Sequence, residues 1–471
     1  MDLQQILGLI VSLVLLALLV VALIKKVSPA LALLVCGLLG FAYYVISTGN
    51  SPMVANNLTS TGNVGFDIFA YTERIFVNLM GSNVLTLMAI MGYVGYVNHL
   101  KATTMLCLTL GHPLRKFKRP YVVVVMVILI TVVLKFSILS IVSQMALVLV
   151  TLYPIMMMMG VSRATAASVL IFAGYINWGP ANFFYILFSG LADTGIPVTE
   201  YFARFELPAT LITLAVCLVV FFFTSKYFDK KEGAESGDSD ILDKYKSPKD
   251  LGIPIFYGIF PLLPVILVLV FSGGAIPIKI SVVTACIISW MFVFVVDIIR
   301  RKDRAQAMED TMQFWKGAGS MIVATGGMII AASVFSGAVE AMGGFSAAFT
   351  AILSGGGSIT LIAIIGSIFG AVFLFLTGSV NGAMLLFGPL MATAAAADGG
   401  QYAFLQIIIT LIPVVQIAGS IGIASPAVIY ISGETKTPLI TIIKRNIIPI
   451  CVYIVLQIVL TQFVFWPMFV K

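Results

Sequence analysis

The sequence predicts an all-α polytopic membrane protein of two inverted repeats, each with five transmembrane spans plus one re-entrant helical hairpin. Three observations carry that expectation. First, 60% of the 471 residues are apolar and 10% charged, with a mean hydropathy of +1.09, whereas a soluble fold carries about 25% charged residues. Second, the apolar residues form ten spans and two longer hairpin-like runs. None alternates in ~10-residue segments as barrel strands do, so the spans are helices. Third, breaks rich in Gly, Ser, Asn and Pro recur at matching places in the two halves. Such breaks free backbone polar groups that lipid does not satisfy, so they persist only where protein or a wet cavity takes those groups up.

Taken in order, the first span, Ile6 to Ile24, is expected to be retained, because Asp2 replaces a basic start and Lys25-Lys26 follow the apolar run directly. The span Pro29 to Ser47 returns, a polar stretch from Thr48 to about Gly81 lies outside, and Val84 to Leu100 comes back in. A hairpin occupies about 120–160 and a broken span about 164–192, interrupted at Asn177-Trp178-Gly179-Pro180-Ala181-Asn182. Leu207 to Ser225 closes a first repeat of residues 1–225. The mixed-charge, Gly- and Ser-containing linker 226–253 separates it from a second repeat, 254–471. There the spans Pro254 to Phe271, Ile280 to Ile299 and Gly319 to about Ala341 precede an outer loop, Gly343 to Gly357. A hairpin at about 358–397, a broken span at about 402–431 and a final span from Ile447 complete the repeat. In each half an arginine precedes a proline-led final span, Arg204…Pro208 and Arg445…Pro449.

All but five of the 27 basic residues fall in segments that this order places on one side, the exceptions being Arg74, Lys135, Arg204, Lys279 and Lys471. That bias makes the linker side cytoplasmic and puts both termini outside; the expected location is the cell membrane, the inner membrane of a bacterium. It also accounts for the net charge of +7 without a nucleic-acid partner; the partner is the lipid bilayer. Cys36, Cys107, Cys217, Cys286 and Cys451 are scattered singly and read as packing residues. His99 and His112 have no metal-ligand partners nearby in sequence and read as surface residues. The Met156 to Met159 run reads as hairpin packing. No GxxxxGK[ST] or HExxH occurs and no histidine lies inside a span, which argues against an ATPase or an intramembrane enzyme and implies no cofactor. Hairpins opening from opposite sides favour alternating access over a channel.

The breaks locate the candidate site. Helix ends that face a half-depth cavity offer partial positive charge at their N-termini and partial negative charge at their C-termini. Candidate solute contacts are Ser140, Ser143, Asn177, Asn182, Ser379, Asn381 and Ser425, with Gly179, Gly378 and Gly382 letting backbone approach, and Pro426 opening the helix after the second break. Each small residue taken alone also fits a helix-packing role. Lys135 sits about one turn before the first hairpin's tip, among apolar residues. A lysine there is costly unless it is paired, solvated or functional, so it is a candidate anion contact. Glu340, near the end of its span, is a second candidate for work on a coupling ion. Together these features predict a secondary transporter for a small organic anion. A zwitterionic or neutral solute such as an amino acid is the alternative on the same fold.

Leu152-Tyr153-Pro154, Gly160-Val161-Ser162-Arg163-Ala164, Thr377-Gly378-Ser379-Val380-Asn381, Ser425-Pro426 and Lys444-Arg445-Asn446…Pro449 occur in an order that resembles the anaerobic four-carbon dicarboxylate uptake C (DcuC) family, within the ion-transporter superfamily. The resemblance covers nearly the whole chain. It implies a homodimer carrying succinate, fumarate or malate with H+ or Na+, by an elevator-type movement. A sodium ion, as coupling ion, is expected near Ser140, Asn177, Thr377 and Asn381. Against the family pattern, Gly422 stands where an arginine is expected, three residues before the Ser-Pro, and Lys135 stands where a small residue is expected. The two departures together predict that the positive charge has moved across the cavity from one repeat to the other.

Overall fold

The computed structural model describes residues 2–470 apart from 26, 56–57, 117–118, 137, 139–140, 180–181, 233–247, 273–279, 356, 378–379, 399 and 423–424. Among the described residues every regular element is a helix. The chain opens with α1 (Leu3–Ile24) and α2 (Pro29–Thr48). Pro29 starts α2 where no amide donor is needed, and Gly49, at φ 70°, closes it by donating its N–H to Val45 O at 2.8 Å. Most of the expected polar loop is helical: α3 (Val64–Leu79) runs through a π-type turn into α4 (Leu85–His99), followed by α5 (Ala102–Gly111). Ahead of α3 the chain gathers around Asp67, whose carboxylate accepts from the hydroxyls of Ser51, Ser60 and Thr61 and from the Thr61 N–H. The Ser51 and Ser60 hydrogen bonds do most to hold that carboxyl well below the usual range.

The first hairpin is α6 (Pro120–Leu134) and α7 (Ile141–Met158); the first broken span is α8 (Arg163–Tyr175) and α9 (Phe183–Ser189). Within α7 the axis bends by 43° near residue 150. The cause is Pro154, which has no N–H for the carbonyl four residues back. After α10 (Leu207–Glu232) the second half begins with a 3-10 stretch, Ile255–Leu262, leading into α11 (Leu263–Ser272). Then come α12 (Val282–Arg300), α13 (Met312–Met321), a π-type turn, α14 (Gly327–Ala341) and α15 (Gly344–Ser354). The second hairpin is α16 (Ile359–Thr377) and α17 (Val380–Asp398), the second broken span α18 (Ala403–Ala418) and α19 (Pro426–Glu434), and α20 (Leu439–Val459) follows.

Two apolar cores organise these helices. One unites α1, α2, α4, α12 and α14 with the second hairpin and α18; the other unites the first hairpin, α8, α10, α19 and α20. Met156 and Met157 are buried in the second core, as packing residues. Helices of the first core cross with glycine at the contact. A Cβ on Gly344 would lie 2.1 Å from Leu9 N, and one on Gly317 2.4 Å from Met91 O. Small residues at such crossings let backbones meet where no hydrophobic force drives helices together in lipid. Gly344→Leu is therefore expected to prise α15 from α1 and lower the thermal unfolding midpoint in detergent, at a cost of at least about 1–3 kcal/mol. Gly319→Leu, at a site with nothing within 4 Å, is the matched control. Equal midpoints for the two variants would contradict the account.

Two sequence expectations are corrected and a third is refined. The outer loop Gly343 to Gly357 is mostly the helix α15, bent by 65° from α14; its Ala- and Phe-rich run has helical propensity that the flanking glycines mask. The final span is not proline-led: α20 starts at Leu439, and Pro449 lies inside it. A proline inside a membrane helix is tolerated when neighbouring packing takes up the freed carbonyl. His99 is exposed at the surface as expected but is not without a partner: its Nε2 lies 2.9 Å from Asp310 Oδ1, while Asp310 Oδ2 pairs with Arg301 Nη1 at 2.5 Å. The linker is helical as far as Glu232, and residues 233–247 lie outside the described residues. By length and composition, six helices among the described residues can cross a membrane, or eight if each of two bent pairs is one span. Two of the expected spans fall short of that length among the described residues, at Leu3–Leu19 in α1 and Ile255–Val268 leading into α11, and this helps make the count lower than ten.

Candidate functional site

At the first break α8 ends at Tyr175, the chain extends through Asn177, Trp178 and Gly179, and Asn182 caps α9 by accepting from Tyr185 N at 3.0 Å. Gly179 adopts φ +144°, a conformation L side chains rarely take, and the Phe136 ring lies 3.1 Å from where its Cβ would be. The hairpin tip is clamped onto this break. Trp178 Nε1 donates to Val132 O at 2.9 Å, and the Phe136 ring packs on Trp178 at 4.9 Å and on Phe202 at 6.3 Å between centroids. Asn177 is half-buried beside them.

The break's donors are spent on a residue that the sequence reading passed over. Gly179 N donates to Glu206 Oε2 at 3.0 Å, and the Asn182 side-chain amide donates to Glu206 Oε1. Glu206 is buried, 9% exposed. It ends a π-type turn, Phe202–Glu206, in which Leu207 N–H reaches back to Phe202 O. Pro208 explains the turn: without an amide it leaves the Arg204 carbonyl unpaired in an α-helical register, so the ladder widens by one residue. The available signal was a carboxylate two residues before that proline, at the mouth of an apolar run.

Lys135 lies at the end of α6 and is 1% exposed. Its Nζ donates to Gln144 Oε1 at 3.1 Å, while Gln144 Nε2 donates to Thr131 O at 2.6 Å. Among the described residues no carboxylate lies within 4.0 Å of Lys135 Nζ. The hairpin tip thus holds a buried lysine amine against a neutral amide. Ser143 sits in the first turn of α7 and is exposed; Ser137 and Ser140 lie outside the described residues.

In the second half, α16 ends at Thr377 and α17 starts at Val380; Gly378 and Ser379 lie outside the described residues, as does the Thr377 side chain. Asn381 is exposed and Gly382 buried. At the second break α18 tightens into a 3-10 turn, Gly419–Ile421, then extends at Gly422 before Pro426 starts α19. Ser425 is fully buried, and its hydroxyl hydrogen-bonds the Tyr175 hydroxyl. The Tyr175 ring lies 2.4 Å from where a Cβ on Gly419 would stand, so only glycine admits it. A Cβ on Gly422 would stand 3.5 Å from Leu374 O of the second hairpin. Gln416, one turn before the break, is 1% exposed, and neither of its polar atoms has a partner among the described residues.

The fold therefore joins the two breaks directly, through Tyr175 and Ser425, with the first hairpin's tip on one and the second hairpin's arm beside the other. Gly179 and Asn182 are brought together on Glu206, with Phe136, the neighbour of Lys135, packed against Gly179 and Trp178, and Ser425 meets Tyr175 at the end of α8. Glu340 stands apart, lining a shallow surface depression with Gln5 and Ser346. Among the described residues no group of three or more His, Cys, Asp and Glu is arranged to hold a metal ion.

A sequence model of the family described as C4-dicarboxylate anaerobic carrier, DcuC, matches residues 5–465. The chain is 26% identical over 444 residues to the probable anaerobic C4-dicarboxylate transporter DcuC of Vibrio cholerae, covering 93% of this chain and 94% of that one. It is 22% identical over 439 residues to the anaerobic C4-dicarboxylate transporter DcuC of Escherichia coli K12, covering 93% of each. Among solved structures it is similar to the YdaH transporter of Alcanivorax borkumensis, with a TM-score of 0.58 at 12% identity, over 92% of this chain and 98% of that one. It is also similar to MtrF of Neisseria gonorrhoeae, described with a class of antimetabolite efflux pumps, with a TM-score of 0.53 at 11% identity, over 90% and 94%. At these identities the likeness to solved structures is one of fold.

Proposed function

The chain belongs to the C4-dicarboxylate anaerobic carrier family, and from that premise we propose that it carries a C4-dicarboxylate across the membrane by cation-coupled alternating access. It is a multi-pass membrane transporter and not an enzyme. The observation that supports the finer reading is the meeting of the two breaks at Tyr175 and Ser425. Interrupted helices that converge inside a bundle present their dipole ends and loosened amides to one solute. Lys135 supplies the formal positive charge that a carboxylate needs. The proposal includes two inverted repeats, 1–225 and 254–471, with the hairpins re-entrant, an inner-membrane location with both termini outside, and a homodimer. Na+ or H+ is the coupling ion.

The test is uptake by the purified protein in proteoliposomes, with a carboxylate panel and with Na+ and pH gradients imposed separately. Succinate, fumarate or malate should accumulate under one of the gradients, several-fold above a gradient-free control. Transport of zwitterions or neutral compounds alone would replace the dicarboxylate with an amino-acid-like solute.

A further inference from the structure

We propose that Glu206 is the proton-binding group of the transport cycle, taking up one proton as carboxylate becomes carboxylic acid; this deepens the transporter reading above and rests on it. Glu206 belongs to the π-type turn before α10, yet both its carboxyl oxygens are engaged by the first break, through Gly179 N–H and the Asn182 amide. A change at this carboxyl therefore reaches the stretch that also carries Asn177 and Trp178 against the first hairpin's tip.

Its surroundings then separate a proton from a sodium ion. The orientation of the Asn182 amide is settled locally: its Oδ1 caps α9 at Tyr185 N, so Nδ2 faces Glu206. Both groups that touch the carboxyl thus present hydrogens. A sodium ion needs a cage of oxygens, and N–H groups aimed at the same point repel it, whereas a proton needs one lone pair. The other ionisable neighbours are the hydroxyls of Tyr201, on the preceding helical turn, and Tyr453 on α20, each close enough to feel the Glu206 charge. Arg204, two residues away, is turned to Glu200 at 3.0 Å and to the Phe469 ring. Among the described residues no cation lies within 4.0 Å of the carboxyl. A buried carboxyl without a cation partner passes through the bilayer most readily in its neutral form.

The coupling follows from hydrogen bonding. As carboxylate, Glu206 accepts from both donors of the break. Once protonated, one oxygen carries a hydrogen of its own, and the hold on Gly179 or Asn182 weakens. Proton binding thereby loosens the first break, and proton release locks it.

The test uses the wild-type protein, Glu206→Gln and Glu206→Asp in proteoliposomes loaded with a pH dye. Succinate flux and proton flux are measured together. The wild type should move protons with succinate, and Glu206→Asp should keep doing so. Glu206→Gln should lower the ratio of protons to succinate by about one, and should flatten the pH dependence of succinate binding by the detergent-solubilised protein. A ratio and a pH profile equal to wild type would overturn the proposal, as would loss of binding at every pH with wild-type thermal stability. Infrared difference spectra on acidification read the carboxyl without any transport: the protonated-carboxyl band of wild type should contain a component missing from Glu206→Gln, and a wild-type band identical to that of the variant would equally refute the assignment. A wild-type protein that moves no dicarboxylate, yet shows the Glu206 band, would instead fail the transporter reading alone.

Discussion

Lys135→Gln is expected to lower carboxylate uptake at low substrate concentration by at least about 30-fold, because removing one partner of a buried, hydrogen-bonded charge pair costs about 2–5 kcal/mol. The reason lies in what Lys135 lacks. Its ammonium is 1% exposed and donates to Gln144 Oε1, and no carboxylate among the described residues lies within 4.0 Å. A buried cation in that state is destabilising unless something completes it during function. An incoming carboxylate would do so, at a hairpin tip pressed against the break through Phe136 and Trp178. Stability should move the other way: glutamine keeps an amide donor for Gln144 and removes a buried charge, so the unfolding midpoint should hold or rise. Uptake and thermal unfolding measured on the same preparation separate the two effects. Uptake at wild-type affinity in Lys135→Gln would take Lys135 out of the site.

The parts legible in the sequence are those written in local chemistry. Glycine, serine and proline inside apolar runs marked both hairpin turns and both broken spans, because those residues disrupt a helix wherever they stand. The helix ends at Tyr175 and Ala418 fall where that rule placed them. What stayed hidden depends on contacts between distant residues. Glu206 reads as an ordinary acid beside Arg204, and only the fold brings Gly179 and Asn182 to it. Tyr175 was one aromatic among many until Ser425, 250 residues on, met its hydroxyl. Asn182 and Gly179 have the chemistry of solute contacts in the sequence, yet each gives a donor to the protein's own Glu206 carboxyl. Pro449 misled for the opposite reason: proline marks a helix start in isolation, but inside a packed bundle it is carried mid-helix.

Arg445→Ala is expected to cost about 3–5 kcal/mol of stability, the usual consequence of stripping one member from a buried ion cluster and stranding the rest. Arg445 Nη1 lies 2.6 Å from Asp229 Oδ1 and 2.6 Å from Thr165 Oγ1, and Nη2 lies 2.8 Å from Glu232 Oε2. Ser162, the cap of α8, donates to the same Asp229 oxygen at 2.6 Å. Three helices that are far apart in sequence, α8, α10 and α20, are thus tied at one point where both Arg445 and Asp229 are buried. Alanine leaves Asp229 with hydroxyl donors alone, too little to offset a buried negative charge. Glu232, 35% exposed at its side chain, keeps water and should matter less. Asp229→Asn should recover most of the lost midpoint in the Arg445→Met background, since the pair is then neutral and its volume is largely kept. The readout is the thermal unfolding midpoint in detergent for each single variant and the double. An unchanged midpoint in Arg445→Ala, or a double variant no better than Arg445→Met, would show that the three helices are held by their apolar faces alone.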